Sequence, residues 1–167
     1  MTPVAVNVEF VSDEGDLPVY PASKRATVVS AGHQSLRVPL VAGAVIGVAQ
    51  TATPFAFWWL PPATVYALGL VFIAAVYIGF SVADGRSKVI AAEVAVATAF
   101  VVVSVAAVTG SAWLLVAGFT GHGLKDFWQH RTQFVTGTRW WPPFCAAVDF
   151  VVAAILAIAL AAGANVH

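Results

Sequence analysis

The stretch GHGLKDFWQHR, Gly121 to Arg131, gathers two histidines, an aspartate, a lysine, an arginine and a glutamine. It continues the apolar run SAWLLVAGFT with nothing between them that ends a helix. On a helix His122, Asp126 and His130 stand at i, i+4 and i+8. Each step turns about 40°, so the three share one face, with Gln129 beside them. A carboxylic acid kept neutral by burial, next to a histidine near neutrality, is the usual pair for moving protons. The same residue types ligate metals. His122 and His130 would lie about 12 Å apart along the axis, too far for one ion bound at about 2.0 to 2.2 Å to take both. A metal ion would therefore use one of these histidines with Asp126 and acids from other helices. The candidate ligands are His122, Asp126, Glu93 and Asp149, which resemble carboxylate-rich helical metal sites only loosely because Glu-x-x-His repeats are missing.

These residues belong to a chain of 167 residues that is 60% hydrophobic and 10% charged, with a mean hydropathy of +0.86. That composition lies outside the range of soluble domains and predicts an integral membrane protein. Five apolar runs, 38–60, 64–83, 88–109, 111–130 and 143–163, each approach the roughly 20 residues that a helix needs to cross about 30 Å of hydrocarbon. They are rich in Ala, Val and Leu without alternation, which favours helices over a barrel. The expected fold is an all-α bundle of five transmembrane helices. Breakers and cap residues in PPAT (Pro61 to Thr64), DGRS (Asp84 to Ser87), TGS (Thr109 to Ser111) and TGTRWWPP (Thr136 to Pro143) mark the connections. Pro39 fits a first helical turn, whereas Pro54 should kink the first span or end it early.

The basic residues set the orientation. Lys24, Arg25 and Arg37 precede the first span, Arg86 and Lys88 lie at the second connection, and Lys125, Arg131 and Arg139 lie at or in the fourth. Five spans with a cytoplasmic N-terminus put all of them on one side, with the C-terminus outside a cell membrane crossed several times. Trp58, Trp59 and Trp113 then fall at the outer boundary and Trp128, Trp140 and Trp141 at the inner one. The polar segment 1–37, with SDEGD and LPVYPASKR, is expected to be a mostly disordered cytoplasmic tail, and it has no signal-peptide pattern. Acidic and basic residues balance at eight each, so charge argues for no nucleic-acid partner.

Orientation fixes depth. Asp126 comes to lie roughly 6 Å and His122 roughly 12 Å above the cytoplasmic end of the fourth span. Glu93 is roughly 8 Å deep in the third span and Asp149 roughly 9 Å deep in the fifth, with Asp84 closing the second at the inner surface. The acids outside the tail can therefore converge in the cytoplasmic third. Tyr77 lies near that level, and Tyr77, Gln129 and Trp128 are the residues expected to contact a substrate. Ionisable groups in a span cost several kcal/mol if they face lipid, so they should face the interior. The structural alternative is a polar staple, with Lys125, His130 and Arg131 snorkelling to the surface. Cys145 has no CxxC partner and reads as a small buried hydrophobe. Gly43 and Gly47, in GAVIG, form a small-xxx-small pattern suited to close helix packing.

The order YIGFSVADGRSKVIAAEVAVA, GHGLKDFWQHR, RWWPPFCAAVDFVVA resembles a family of small uncharacterised bacterial membrane proteins. Its pattern is an Asp-Gly-Arg turn, a glutamate in the next helix, a Gly-His-Gly-x-x-Asp helix and a Pro-Phe-Cys segment followed by Asp. The resemblance covers about Tyr77 to Ala154 and implies roles for Asp84, Arg86, Glu93, His122, Asp126, Cys145 and Asp149. It implies no particular activity.

The function expected from these residues is an enzyme embedded in the membrane. It would act on a lipid or isoprenoid-like substrate near the cytoplasmic leaflet, through His122, Asp126, Glu93 and Asp149 as acid and base, in an isomerisation or cyclisation. Other readings are a metal-dependent membrane enzyme, a proton-coupled carrier, which would need an oligomer for want of an inverted repeat, and a non-catalytic subunit. The bilayer is the expected surrounding and an apolar small molecule the expected partner.

Overall fold

The computed structural model describes residues 36–166, which form six helices and no strand. They are α1 Arg37–Thr51, α2 Thr53–Ala56, α3 Pro62–Asp84, α4 Ser87–Thr109, α5 Trp113–Thr132 and α6 Trp141–Ala161. All of the expected tail except Leu36 and Arg37 lies outside the described residues. Helices α3, α4 and α6 are long and apolar enough to cross a membrane, consistent with a membrane location. The expected first span, 38–60, is not one continuous helix. Its regular part stops at Thr51, and the single turn α2 begins afresh with Pro54 in its first positions, where the missing N–H costs nothing.

The ends of the long helices follow their local sequence. Pro62 opens α3, and Gly85 closes it in the left-handed region at φ 79°, donating its N–H to the Ser81 carbonyl. Pro142 and Pro143 occupy the first turn of α6, where their ring constraint suits the helix. Asp84 then joins two connections. It accepts hydrogen bonds from Arg86 Nε (2.5 Å), Thr136 N (2.8 Å) and Thr136 Oγ1 (2.7 Å), while Arg86 Nη2 donates to the Phe134 carbonyl (2.6 Å). The Asp84 carboxylate raises the Arg86 pKa further above its ordinary value. The α3–α4 and α5–α6 turns are thereby tied together at one end of the bundle. At the other end the Ala63 N–H donates to the Val166 carbonyl (2.7 Å).

Helix α6 has α5 along one side and α1 along the other, while α3 packs along α4. The main apolar core joins α3, α4, α5 and α6 through residues such as Leu70, Ala107, Leu115, Phe119, Val148 and Val152. A smaller one, Tyr77, Val89 and Val135, lies under the clamp formed by Asp84 and Arg86. The outer surface is apolar, and Val41, Val45 and Val48 of α1 and Leu68 and Phe72 of α3 are all exposed. Close approach of α1 to α6 depends on its glycines. A Cβ at Gly43 would collide with the Phe144 carbonyl oxygen, and one at Gly47 would sit 2.9 Å from Val151 Cβ and 3.0 Å from the Val148 carbonyl oxygen. Overpacking of this kind costs about 1–3 kcal/mol. Gly43→Val and Gly47→Val should each lower the thermal unfolding midpoint in detergent. Unchanged melting in both would show that α1 does not pack on α6 as described.

Candidate functional site

From His122 to Gln129, helix α5 turns its polar residues inward and its large apolar ones outward. Leu124, Phe127 and Trp128 are 58%, 51% and 49% exposed, whereas His122, Asp126 and Gln129 are buried. An amphipathic helix in water shows the reverse arrangement, so this one is consistent with an apolar exterior. The periodicity that placed His122 and Asp126 on one face therefore directs both into the bundle. There they meet Asp149 of α6.

His122 Nδ1 lies 2.8 Å from Asp149 Oδ2 and 3.4 Å from Asp126 Oδ2. With Asp149 ionised, Nδ1–H is the donor of the shorter contact, because an ionised carboxylate only accepts. The imidazole is held edge-on to Phe100, with ring centroids 5.0 Å apart, and tilted against Tyr77 at 5.9 Å. All three side chains of the triad are fully enclosed. Neither oxygen of Asp126 accepts a protein hydrogen bond, and Asp149 Oδ1, His122 Nε2 and Tyr77 Oη also have no protein partner. Each unsatisfied buried polar group costs about 1–3 kcal/mol, and more if charged. Two acids thus share one imidazole at a position where an unneutralised second charge is expensive.

A second group stands beside the triad and is internally matched. Lys125 Nζ donates to Glu93 Oε2 at 2.7 Å and lies 3.6 Å from the centroid of the Tyr77 ring. The amide of Gln129 donates to the other Glu93 oxygen. Glu93 of α4 is therefore saturated by α5, and its charge is balanced.

Two joined apolar cavities lead toward the triad. The larger, about 560 Å³, lies between α1, α2 and α3 and is lined by Gln50, Phe57, Leu60, Leu68 and Phe72 among others. The smaller, about 160 Å³, shares Ile46, Gln50, Phe72 and Ile73 with it and continues to Trp141, Cys145 and Val148. Cys145, in the wall of the inner cavity, stands one turn before Asp149 on the same face of α6, while His122, Asp126 and Asp149 themselves line neither cavity. Gln50 lies against Gly69, whose missing side chain leaves room for it.

His122, Asp126 and Asp149 come together, as their depths predict, and Tyr77, Glu93 and Gln129 surround them. Glu93 is not part of the triad, because Lys125 and Gln129 engage it. Trp128 is on the outer face of α5 against Phe134, at 5.3 Å between ring centroids, and is not brought to the site. His130 lies in the last turn of α5, apart from the triad. Lys125 corrects an expectation: read from sequence as a snorkelling surface residue, it turns inward, with its side chain 13% exposed. Its place one residue before Asp126 allows either direction, so only the position of Glu93 on α4 decides it. The thiol of Cys145 in the cavity wall is signalled in the sequence only by its spacing from Asp149 and by the Pro-Phe-Cys segment of the resemblance.

Searches against protein-family models, curated proteins and solved structures find no match to this chain.

Removing one partner of a buried ion pair costs about 3–5 kcal/mol, because the other charge is left behind. Lys125→Met should therefore destabilise the protein strongly, and Lys125→Met with Glu93→Gln should recover most of the loss. Equal melting curves for the single variant and the wild type would dissolve the pair.

Proposed function

We propose that this chain is a multi-pass protein of the cell membrane that acts on a lipid or isoprenoid-like molecule by proton transfer at His122, Asp126 and Asp149. It crosses the bilayer five times, with its N-terminus cytoplasmic, its C-terminus outside and the triad in the cytoplasmic third. Helix α1 with α2, and α5, provide the crossings beyond α3, α4 and α6. Two observations support their placement in lipid: the apolar outer face of α1 and the inward polar face of α5. The orientation is supported by the clamped end of the bundle, where Arg86, Lys88, Arg131 and Arg139 gather, while the end joining Ala63 to Val166 has no basic residue nearby in sequence.

The observation that carries the functional reading is an apolar cavity whose wall includes Cys145, one helical turn from the triad residue Asp149. A single hydrocarbon chain entering from the lipid between α1 and α3 would follow Phe72 and Ile73 to Cys145, with its polar or unsaturated end next to Asp149 and His122. Ligand sites are commonly apolar cavities of about 300–1,000 Å³ with a few convergent polar groups. His122, oriented by Asp149, and Asp126, with no donor to hold its charge, form an acid and base pair that suits isomerisation or cyclisation. The neighbouring Lys125–Glu93 pair, with Gln129 and Tyr77, fixes the face of α5 on which they stand. A staple serving only to hold helices would pair its acids with donors, and Asp126 accepts none.

Comparative mass spectrometry of lipid extracts from cells producing the wild-type protein or Asp126→Asn tests this reading. The wild type should convert at least one lipid or isoprenoid species that the variant leaves unchanged, at equal protein levels. Identical extracts from both would reject the enzyme.

A further inference from the structure

We infer that His122, Asp126 and Asp149 bind one divalent first-row transition-metal ion. One nitrogen and two carboxylate oxygens, contributed by α5 and α6, lie within 4.8 Å of one another, and all three side chains are buried. Ligands bound at about 2.0–2.2 Å in tetrahedral geometry stand about 3.4 Å apart. The separation from His122 Nδ1 to Asp126 Oδ2 is 3.4 Å and that to Asp149 Oδ2 is 2.8 Å. The two carboxylates lie within 4.8 Å of each other.

An independent observation points to a cation. The Asp126 carboxylate is completely enclosed and neither of its oxygens has a hydrogen-bond donor from the protein, although Oδ2 lies 3.4 Å from the His122 ring nitrogen. Lys125, its neighbour in sequence, is committed to Glu93. Two aspartates and a neutral imidazole carry two negative charges, which a divalent ion neutralises within the low-dielectric interior. Buried charges are retained where they are paired or coordinate metals.

The donor set also indicates the kind of ion. An imidazole with two carboxylates is harder than a thiolate site and suits zinc, iron(II) or manganese(II). Cys145, one turn from Asp149, is not a member of the group. Three protein ligands leave a coordination position for water or substrate, as in catalytic centres. With the ion bound, the three side chains would act as ligands, and a metal-bound water, whose pKa is strongly lowered, would take over the proton transfer assigned to them above. That role rests on the proposed reaction, whereas the ion's binding rests on the three ligands alone.

The test uses the full chain purified in detergent without a polyhistidine tag, measuring metal content by mass spectrometry and Co²⁺ binding to the chelator-treated protein by visible absorption. About one first-row ion per chain and saturable d–d bands at one Co²⁺ per chain are expected. Asp126→Asn and Asp149→Asn should each weaken Co²⁺ binding by more than about 100-fold, since loss even of an outer-shell partner costs 10–100-fold. Cys145→Ser should leave it within a few-fold. A wild-type protein that neither retains a metal nor takes up Co²⁺ would overturn the inference, as would Co²⁺ binding that survives both aspartate substitutions. Absence of metal with a lipid conversion still dependent on Asp126 removes the metal and leaves the enzyme. Stoichiometric metal with no lipid conversion does the opposite.

Discussion

A carboxylate enclosed by protein with no hydrogen-bond donor is the constraint around which the rest of the molecule is arranged. Asp126 is in that position, and His122 is the group nearest to answering its charge while already bonded to Asp149. Such a group persists in a fold only if the surrounding packing is strong enough to hold it. Here the packing comes from an apolar core above it and a clamped pair of turns below it. Tyr77 and Phe100 enclose the imidazole between those two regions.

The cost is divided unevenly between neighbours. Glu93 also lies deep among apolar residues, yet Lys125 and Gln129 satisfy it, so it behaves as part of the framework. The triad is left with more acceptors than donors. That imbalance separates a holding contact from a site able to take up a proton or a cation. It also explains why Lys125 gives up the surface: its ammonium neutralises Glu93 and sits over the Tyr77 ring.

Much of this was legible in the residues. The apolar composition and the breaker-rich turns specify helices, and the i, i+4 spacing of His122 and Asp126 with the depth of Asp149 specifies a meeting point. Gly43 and Gly47 announce a close helix contact, and α6 supplies it. The first apolar run was less readable, because the effect of Pro54 depends on whether the chain beyond it finds a new helical start, and α2 is that start. Trp128 was misleading for a simple reason: adjacent residues on a helix point about 100° apart, so Trp128 faces outward while Gln129 faces inward. The two cavities, and the thiol in the wall of the inner one, arise from how α1, α3 and α6 are placed in space, which no local pattern encodes. The resemblance drawn on Asp84 and Arg86 picks residues that here tie two turns together, a structural task at some distance in sequence from the triad.

Whether the triad serves function or merely holds the helices together can be read most directly from thermal unfolding of chelator-treated wild type and Asp126→Asn in the same detergent. If Asp126 is retained for chemistry, neutralising its enclosed carboxylate removes a destabilising charge, and the variant should melt at the same temperature or higher. A fall of several degrees would contradict this and make Asp126 a structural staple.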